Sequence, residues 1–184
     1  MITGHIGIAF GARALDRREG KAGAPLLWLL AATVAPDVVD GLLSAGNYCN
    51  PEGALSHSLP VVAVLGVLFG TAAWLHTRSE KTALLVGLMV LMHLPPDYIT
   101  GRKALWPGGP VWGLYIYRWP WLDFLIEVPV VFAGWWMLRR TTFTPRWIVS
   151  WVTLVFLFAV QGAFAVSSTV YGPQPPRACG RPFP

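Results

Sequence analysis

Charge is what this sequence has least of. Only 12% of its 184 residues are charged and 54% are hydrophobic, whereas soluble domains carry about a quarter charged residues. An ordinary water-soluble domain is excluded. A basic stripe is also lacking: fourteen Lys and Arg residues are scattered between apolar blocks without interleaved aromatics, so the net charge of +5 does not indicate a nucleic-acid partner. Cysteine is nearly absent. Cys49 and Cys179 form no C-x-x-C pattern, which argues against sulfur-based metal binding, and two residues are too few for a disulfide framework.

What the sequence does have is apolar length. Five blocks, at 26–43, 59–75, 83–94, 121–138 and 147–170, approach the roughly twenty residues that a helix needs to cross a bilayer. The third is too short alone, and must borrow flanking residues or stop below a polar recess. A shorter stretch at 2–15 carries Gly7 and Gly11 at the small-xxx-small spacing that lets helices pack closely. It reads as a half-inserted packing helix; a secretory signal is the alternative, disfavoured because no basic residue precedes the apolar part. The expected fold is all-α: one integral membrane domain over 1–170, a polytopic helical bundle of about five spans, followed by a proline-rich tail over 171–184.

Alternating the spans places nine Lys and Arg residues on one side and five on the other, so the richer side is expected to be cytoplasmic. Trp106, Trp112, Tyr115, Tyr117, Trp119 and Trp121 then crowd an outer connection lying along the interface. Cys49 and Cys179 fall on that outer side, where they either pair or remain two free thiols.

The nine acids carry the functional signal. Asp16, Glu19, Glu52 and Glu80 lie in polar connections, but Asp37, Asp40, Asp97, Asp123 and Glu127 lie in or at the ends of apolar segments. An ionisable group at membrane depth costs roughly 2.5–3.5 kcal/mol on insertion scales and implies a function. These five acids, with His5, His57 and His93, fall at one membrane face, whereas His76 falls at the other. Imidazole and carboxylate without thiolate suit Zn²⁺, and also Mn²⁺ or Fe²⁺. The ligands are numerous enough for two ions bridged by a carboxylate, with a shared hydroxide attacking in line. Asp37 and Asp40 at i and i+3 share a helix face, as do Asp123 and Glu127 at i and i+4. Asp123 also suits the helix dipole without a metal.

Gly4-His5, Pro36-Asp37-Val38-Val39-Asp40, Ser56-His57-Ser58-Leu59, His93 to Asp97, a loop around Pro107 and Glu127 follow one another in order. In that order they resemble the bacterial membrane-bound metal-dependent hydrolases of the YdjM-like and related kind, a family distantly similar to zinc-dependent phospholipase C. The resemblance covers residues 1–138. It implies His5, Asp37 or Asp40, His57, His93 and Asp97 as metal ligands, and Glu127 as ligand or base. Pro95 and Pro96 disfavour a continuous helix between His93 and Asp97, so either a turn or a kink must bring that pair together.

The leading expectation is a hydrolase in the bacterial cytoplasmic membrane, its site facing outward, cleaving a phosphodiester or lipid-type ester with one or two divalent ions, zinc first. Glu127 or Asp37 would take the proton. Arg102, Lys103 and Arg118 in the outer loop are candidates to hold a lipid phosphate. Membrane lipid is thus environment and candidate substrate. The rival reading is a non-catalytic membrane protein, an ion or proton conductor or a helical scaffold, although the inner halves of the spans offer no ionisable residues to continue a pathway.

Overall fold

The computed structural model describes residues 2–16 and 23–171. Helices α1 (Ile2–Leu15), α2 (Leu26–Ala45), α3 (Leu59–Thr77), α4 (Glu80–Leu91), α5 (Leu94–Thr100), α6 (Pro120–Arg139) and α7 (Trp151–Tyr171) form an all-α bundle. Two short strands, β1 (Lys103–Ala104) and β2 (Val111–Trp112), pair antiparallel in the connection between α5 and α6. Five segments are long and apolar enough to cross a membrane: Leu26–Ala45, Leu59–Thr77, Glu80–Thr100, Pro120–Arg139 and Trp151–Val170. The short third block borrows on both sides, because α4 starts at Glu80 and, after a turn at 92–93, α5 carries the segment on to Thr100.

The bundle is apolar outside and polar within. Val64, Val67 and Leu68 on α3 and Val152, Val155 and Phe156 on α7 are exposed, whereas His5, His57, His93, Asp97, Asp123, Glu127 and Gln161 are buried. Such an inversion suits lipid and not water. The tail that was expected over 171–184 lies outside the described residues beyond Tyr171, as does Cys179 and with it the question of its pairing.

Helix α1 packs between two clusters. Ala9 joins Leu29, Ala32, Val62, Val86 and Val90 on one side; Phe10 and Ala14 join Val131, Trp135, Leu138 and Leu157 on the other. Gly7 makes the contact with α6 possible, since a Cβ there would come within 2.7 Å of the Val130 carbonyl and Val131 Cα. Gly66, Gly70 and Gly87 similarly let α3 and α4 approach backbone to backbone.

The proline pair does not splay His93 from Asp97. Helix α4 ends at Leu91, His93 keeps right-handed helical angles (φ −65°, ψ −38°), and Pro95 and Pro96 occupy the first turn of α5. Backbone N–H groups there have no intrahelical partner, so proline removes nothing. His93 and Asp97 therefore face the same way, with Nε2 3.2 Å from Oδ2.

Candidate metal centre

Four side chains from three parts of the chain converge at one end of the bundle. Asp37 comes from α2, one residue after Pro36, which sits inside that helix. His57 comes from the loop before α3, and His93 and Asp97 from the α4–α5 junction. One ligand atom from each of the four lies within 4.8 Å of the other three. Asp97 is the hub: its Oδ2 is 3.1 Å from His57 Nε2 and 3.2 Å from His93 Nε2. Asp37 Oδ1 lies 3.3 Å from His57 Nε2 and 3.6 Å from His93 Nε2. The Asp97 and histidine side chains are at most 3% exposed, but Asp37 is 27% exposed, so the group opens at Asp37.

The tautomer of His93 decides what this group can do. Its Nδ1 is 2.7 Å from the Thr33 carbonyl oxygen, which can only accept, so Nδ1 carries the proton and donates it. In the neutral ring Nε2 is then a lone pair, set among carboxylate oxygens. It has no hydrogen-bond partner despite being fully buried. Lone pairs crowded together in a buried space repel unless a proton on Nε2 or a metal ion lies between them. Two imidazoles and two carboxylates are a set that fits a divalent ion such as Zn²⁺.

The surrounding residues hold the group in place. His5 Nε2 is 3.2 Å from the other oxygen of Asp97, and its ring stacks on His93 with centroids 3.8 Å apart. His57 Nδ1 is 2.6 Å from Ser56 Oγ. Asn50 Nδ2 donates both to Ser56 Oγ (2.7 Å) and to Asp40 Oδ1 (2.6 Å), while Asn50 Oδ1 accepts from the Leu55 N–H. This chain fixes the orientation of His57, the usual task of the groups behind a metal ligand.

Several expected ligands are placed differently. Asp40 is not in the four-residue group; it anchors Asn50 and Ser56. The i, i+3 spacing put it on the Asp37 face, but Asn50 in the following loop engages its carboxylate first. His5 touches the group through Asp97 and by stacking on His93, and is not one of its four ligands. Glu127, expected as ligand or base, accepts from Thr3 Oγ1 (2.7 Å) and the Gly4 N–H (2.9 Å) with Oε2. A carboxylate is favourable against the N–H groups of a helix start, so Glu127 caps α1 from α6 and thereby holds His5. Gln161 on α7 donates to Asp123 Oδ2 at 3.3 Å and completes this second network through Thr3. Among the described residues one group gathers four such ligands, which favours a single ion over the bridged pair.

In the loop, Arg102 is exposed and Arg118 lies 3.8 Å over the Trp119 ring. Lys103 alone of the three reaches the group, with Nζ 3.8 Å from Asp97 Oδ2. Tyr117 is half-buried near Asp97, Asp123 and Glu127; desolvation first, and then those carboxylates, push its phenol well above the ordinary value, so it stays neutral.

Asn50, Thr33 and Gln161 were not legible as site residues. A lone amide in the apolar α7 was a usable signal for Gln161; Asn50 in a polar loop and a backbone carbonyl at Thr33 offered none. Asn50→Ala should weaken divalent-metal affinity by roughly 10–100-fold, the usual effect of removing a group behind a ligand, as read by competition with a chromophoric chelator.

The profile of the family described as YdjM inner membrane protein matches residues 1–168. No curated protein and no solved structure matches the chain.

Proposed function

From the premise that the chain belongs to the YdjM inner membrane protein family, we propose that it is a membrane-embedded metal-dependent hydrolase. Its substrate is a phosphodiester or lipid-type ester met at the outer interface. The observation that carries this reading is the buried, unpartnered Nε2 of His93 beside the carboxylates of Asp37 and Asp97.

Asp37, His57, His93 and Asp97 would hold the ion, Zn²⁺ first by the chemistry of the donors. Once bound, such an ion makes water nucleophilic near neutral pH and offsets charge on the ester oxygens. The chain supplies the rest. His5 orients Asp97, and Asn50, Ser56 and Asp40 orient His57. Asp37 is the most exposed of the four and keeps a buried second oxygen without a partner, which supports it as the group that takes the proton of the attacking water. Glu127 is not that group, because Thr3 and Gly4 already engage it. The bundle shields His57, His93 and Asp97 and leaves the group open at Asp37, and shielding strengthens the electrostatic contacts among the buried three.

The outward orientation rests on the distribution of Lys and Arg between the two sides. The test is elemental analysis of detergent-purified protein together with turnover of a chromogenic phosphodiester. The expected result is about one divalent ion per chain and hydrolysis that disappears on chelation and returns with metal. Protein without stoichiometric metal after repletion would overturn the proposal; bound metal with no turnover of any phosphate or carboxylate ester would leave the non-catalytic reading in its place.

A further inference from the structure

The four-residue group carries two negative charges, those of Asp37 and Asp97, and a divalent cation would cancel both. Lys103 then remains. Its ammonium lies 3.8 Å from Asp97 Oδ2, the same oxygen that faces His57 and His93, and its side chain is only 17% exposed.

The placement of Lys103 is built into the fold. Strand β1 pairs with β2 in the register Lys103 to Trp112, and the Leu59 N–H donates to the Leu105 carbonyl at 2.9 Å, which ties this hairpin to the start of α3. The lysine stem passes Gly53, a residue with φ +68°, where a Cβ would stand 3.2 Å from Lys103 Cδ and 3.1 Å from His57 Nδ1. A side chain at Gly53 would therefore push Lys103 and His57 together out of place.

A second observation concerns the residue that follows His57 in the chain. Ser58 follows His57 and precedes the first residue of α3; it is fully buried, its side chain caps no N–H of that helix, and its Oγ has no partner. An unused hydroxyl donor at the positive end of a 19-residue helix suits an anion.

We propose that Lys103 and Ser58 form an anion-holding subsite beside the metal group, taking one phosphate oxygen of the substrate. A cation in the group and the Lys103 ammonium would share the Asp97 carboxylate and repel one another, and an anion placed between them satisfies both. The single surplus positive charge matches a phosphodiester monoanion and leaves a neutral carboxylic ester without a partner for the lysine. The subsite rests on the metal-dependent reading above and narrows its substrate to phosphate esters.

Binding of inorganic phosphate to the Co²⁺-substituted full chain, followed through the visible absorption of the ion, tests it. Phosphate should perturb the spectrum of the parent chain. Lys103→Gln and Ser58→Ala should each keep full Co²⁺ content and bind phosphate about 10–100-fold more weakly, the loss expected for a hydrogen bond to a charged group. Lys103→Arg should recover most of the affinity.

A short-chain phosphatidic acid titrated in the same way separates sources: the same losses with lipid identify a headgroup, whereas a response to inorganic phosphate alone identifies a soluble phosphate, and either supports the subsite. Unchanged phosphate affinity in both variants with metal retained overturns the subsite and leaves the metal reading standing. Loss of Co²⁺ in Lys103→Gln overturns it too, by making Lys103 a support of the ligands. A parent chain that takes up no Co²⁺ defeats the metal reading itself.

Discussion

His93→Ala should bind its divalent ion at least 100-fold more weakly than the parent chain, beyond the roughly 10–100-fold that loss of a group behind a ligand costs, and hydrolysis should fall in parallel. His93 is the member of the group whose Nδ1 proton is fixed by geometry, because Nδ1 donates to the Thr33 carbonyl; in the neutral ring Nε2 is then the lone pair that faces Asp37 and Asp97. Removing the ring deletes one donor of four and the surface on which His5 stacks. Asp37 and Asp97 then confront one another across a space with one histidine fewer, and two buried like charges without an ion are strongly unfavourable.

Two comparisons give the result its meaning. His76→Ala should leave metal affinity unchanged, since His76 lies near the far end of α3 beside Trp28. Glu127→Gln should lose far less metal affinity than the roughly 10–100-fold usual for a group directly behind a ligand, because its Oε2 serves Thr3 and Gly4 and no ligand. A His93→Ala chain with the parent affinity by chelator competition would remove His93 from the centre. A Glu127→Gln chain that loses metal as completely as His93→Ala would restore Glu127 as a ligand.

The contrast between His93 and Glu127 also marks where sequence reading reaches its limit. Both are ionisable residues in apolar segments at one face, and the resemblance implies His93 as a ligand and Glu127 as a ligand or base. The bilayer penalises both of them, so hydropathy identifies which residues need a polar partner and does not say which partner each one finds. Four of the five long apolar segments follow from block length, and the third only once flanking residues are added to 83–94; that His57, His93 and Asp97 need polar partners follows from their place in or beside those segments. The division of labour does not. It depends on whether a carboxylate meets a helix start, as Glu127 meets Gly4, or an asparagine from the next loop, as Asp40 meets Asn50. The prolines mislead for a similar reason: Pro95 and Pro96 argue against a helix through Asp97, yet in the first turn of a new helix they disturb nothing and leave His93 and Asp97 aligned.

Gly134→Leu should be the most disruptive substitution outside the metal group, lowering stability by about 3 kcal/mol or more, at or beyond the upper end of the roughly 1–3 kcal/mol usual for overpacking. A Cβ on Gly134 would overlap the Gly7 carbonyl, so backbone stands against backbone and no side chain can rotate away. The consequence reaches the centre because α1 is joined to α6 twice, through this glycine contact and through Glu127 on Thr3 and Gly4. His5 lies one residue beyond Gly4, so pushing α1 from α6 withdraws the imidazole that orients Asp97. Gly41→Ala is the matched control. No atom outside its own helix lies within 4 Å of a Cβ built there, and replacing a mid-helix glycine by alanine stabilises by roughly 0.5–1 kcal/mol. Thermal unfolding in detergent, followed by helical circular dichroism with metal content measured on the same samples, should show Gly134→Leu losing both stability and metal while Gly41→Ala loses neither. A Gly134→Leu protein with the parent's unfolding temperature and full metal would mean that α1 is not wedged against α6 by this contact, and that the position of His5 is set by Glu127 alone.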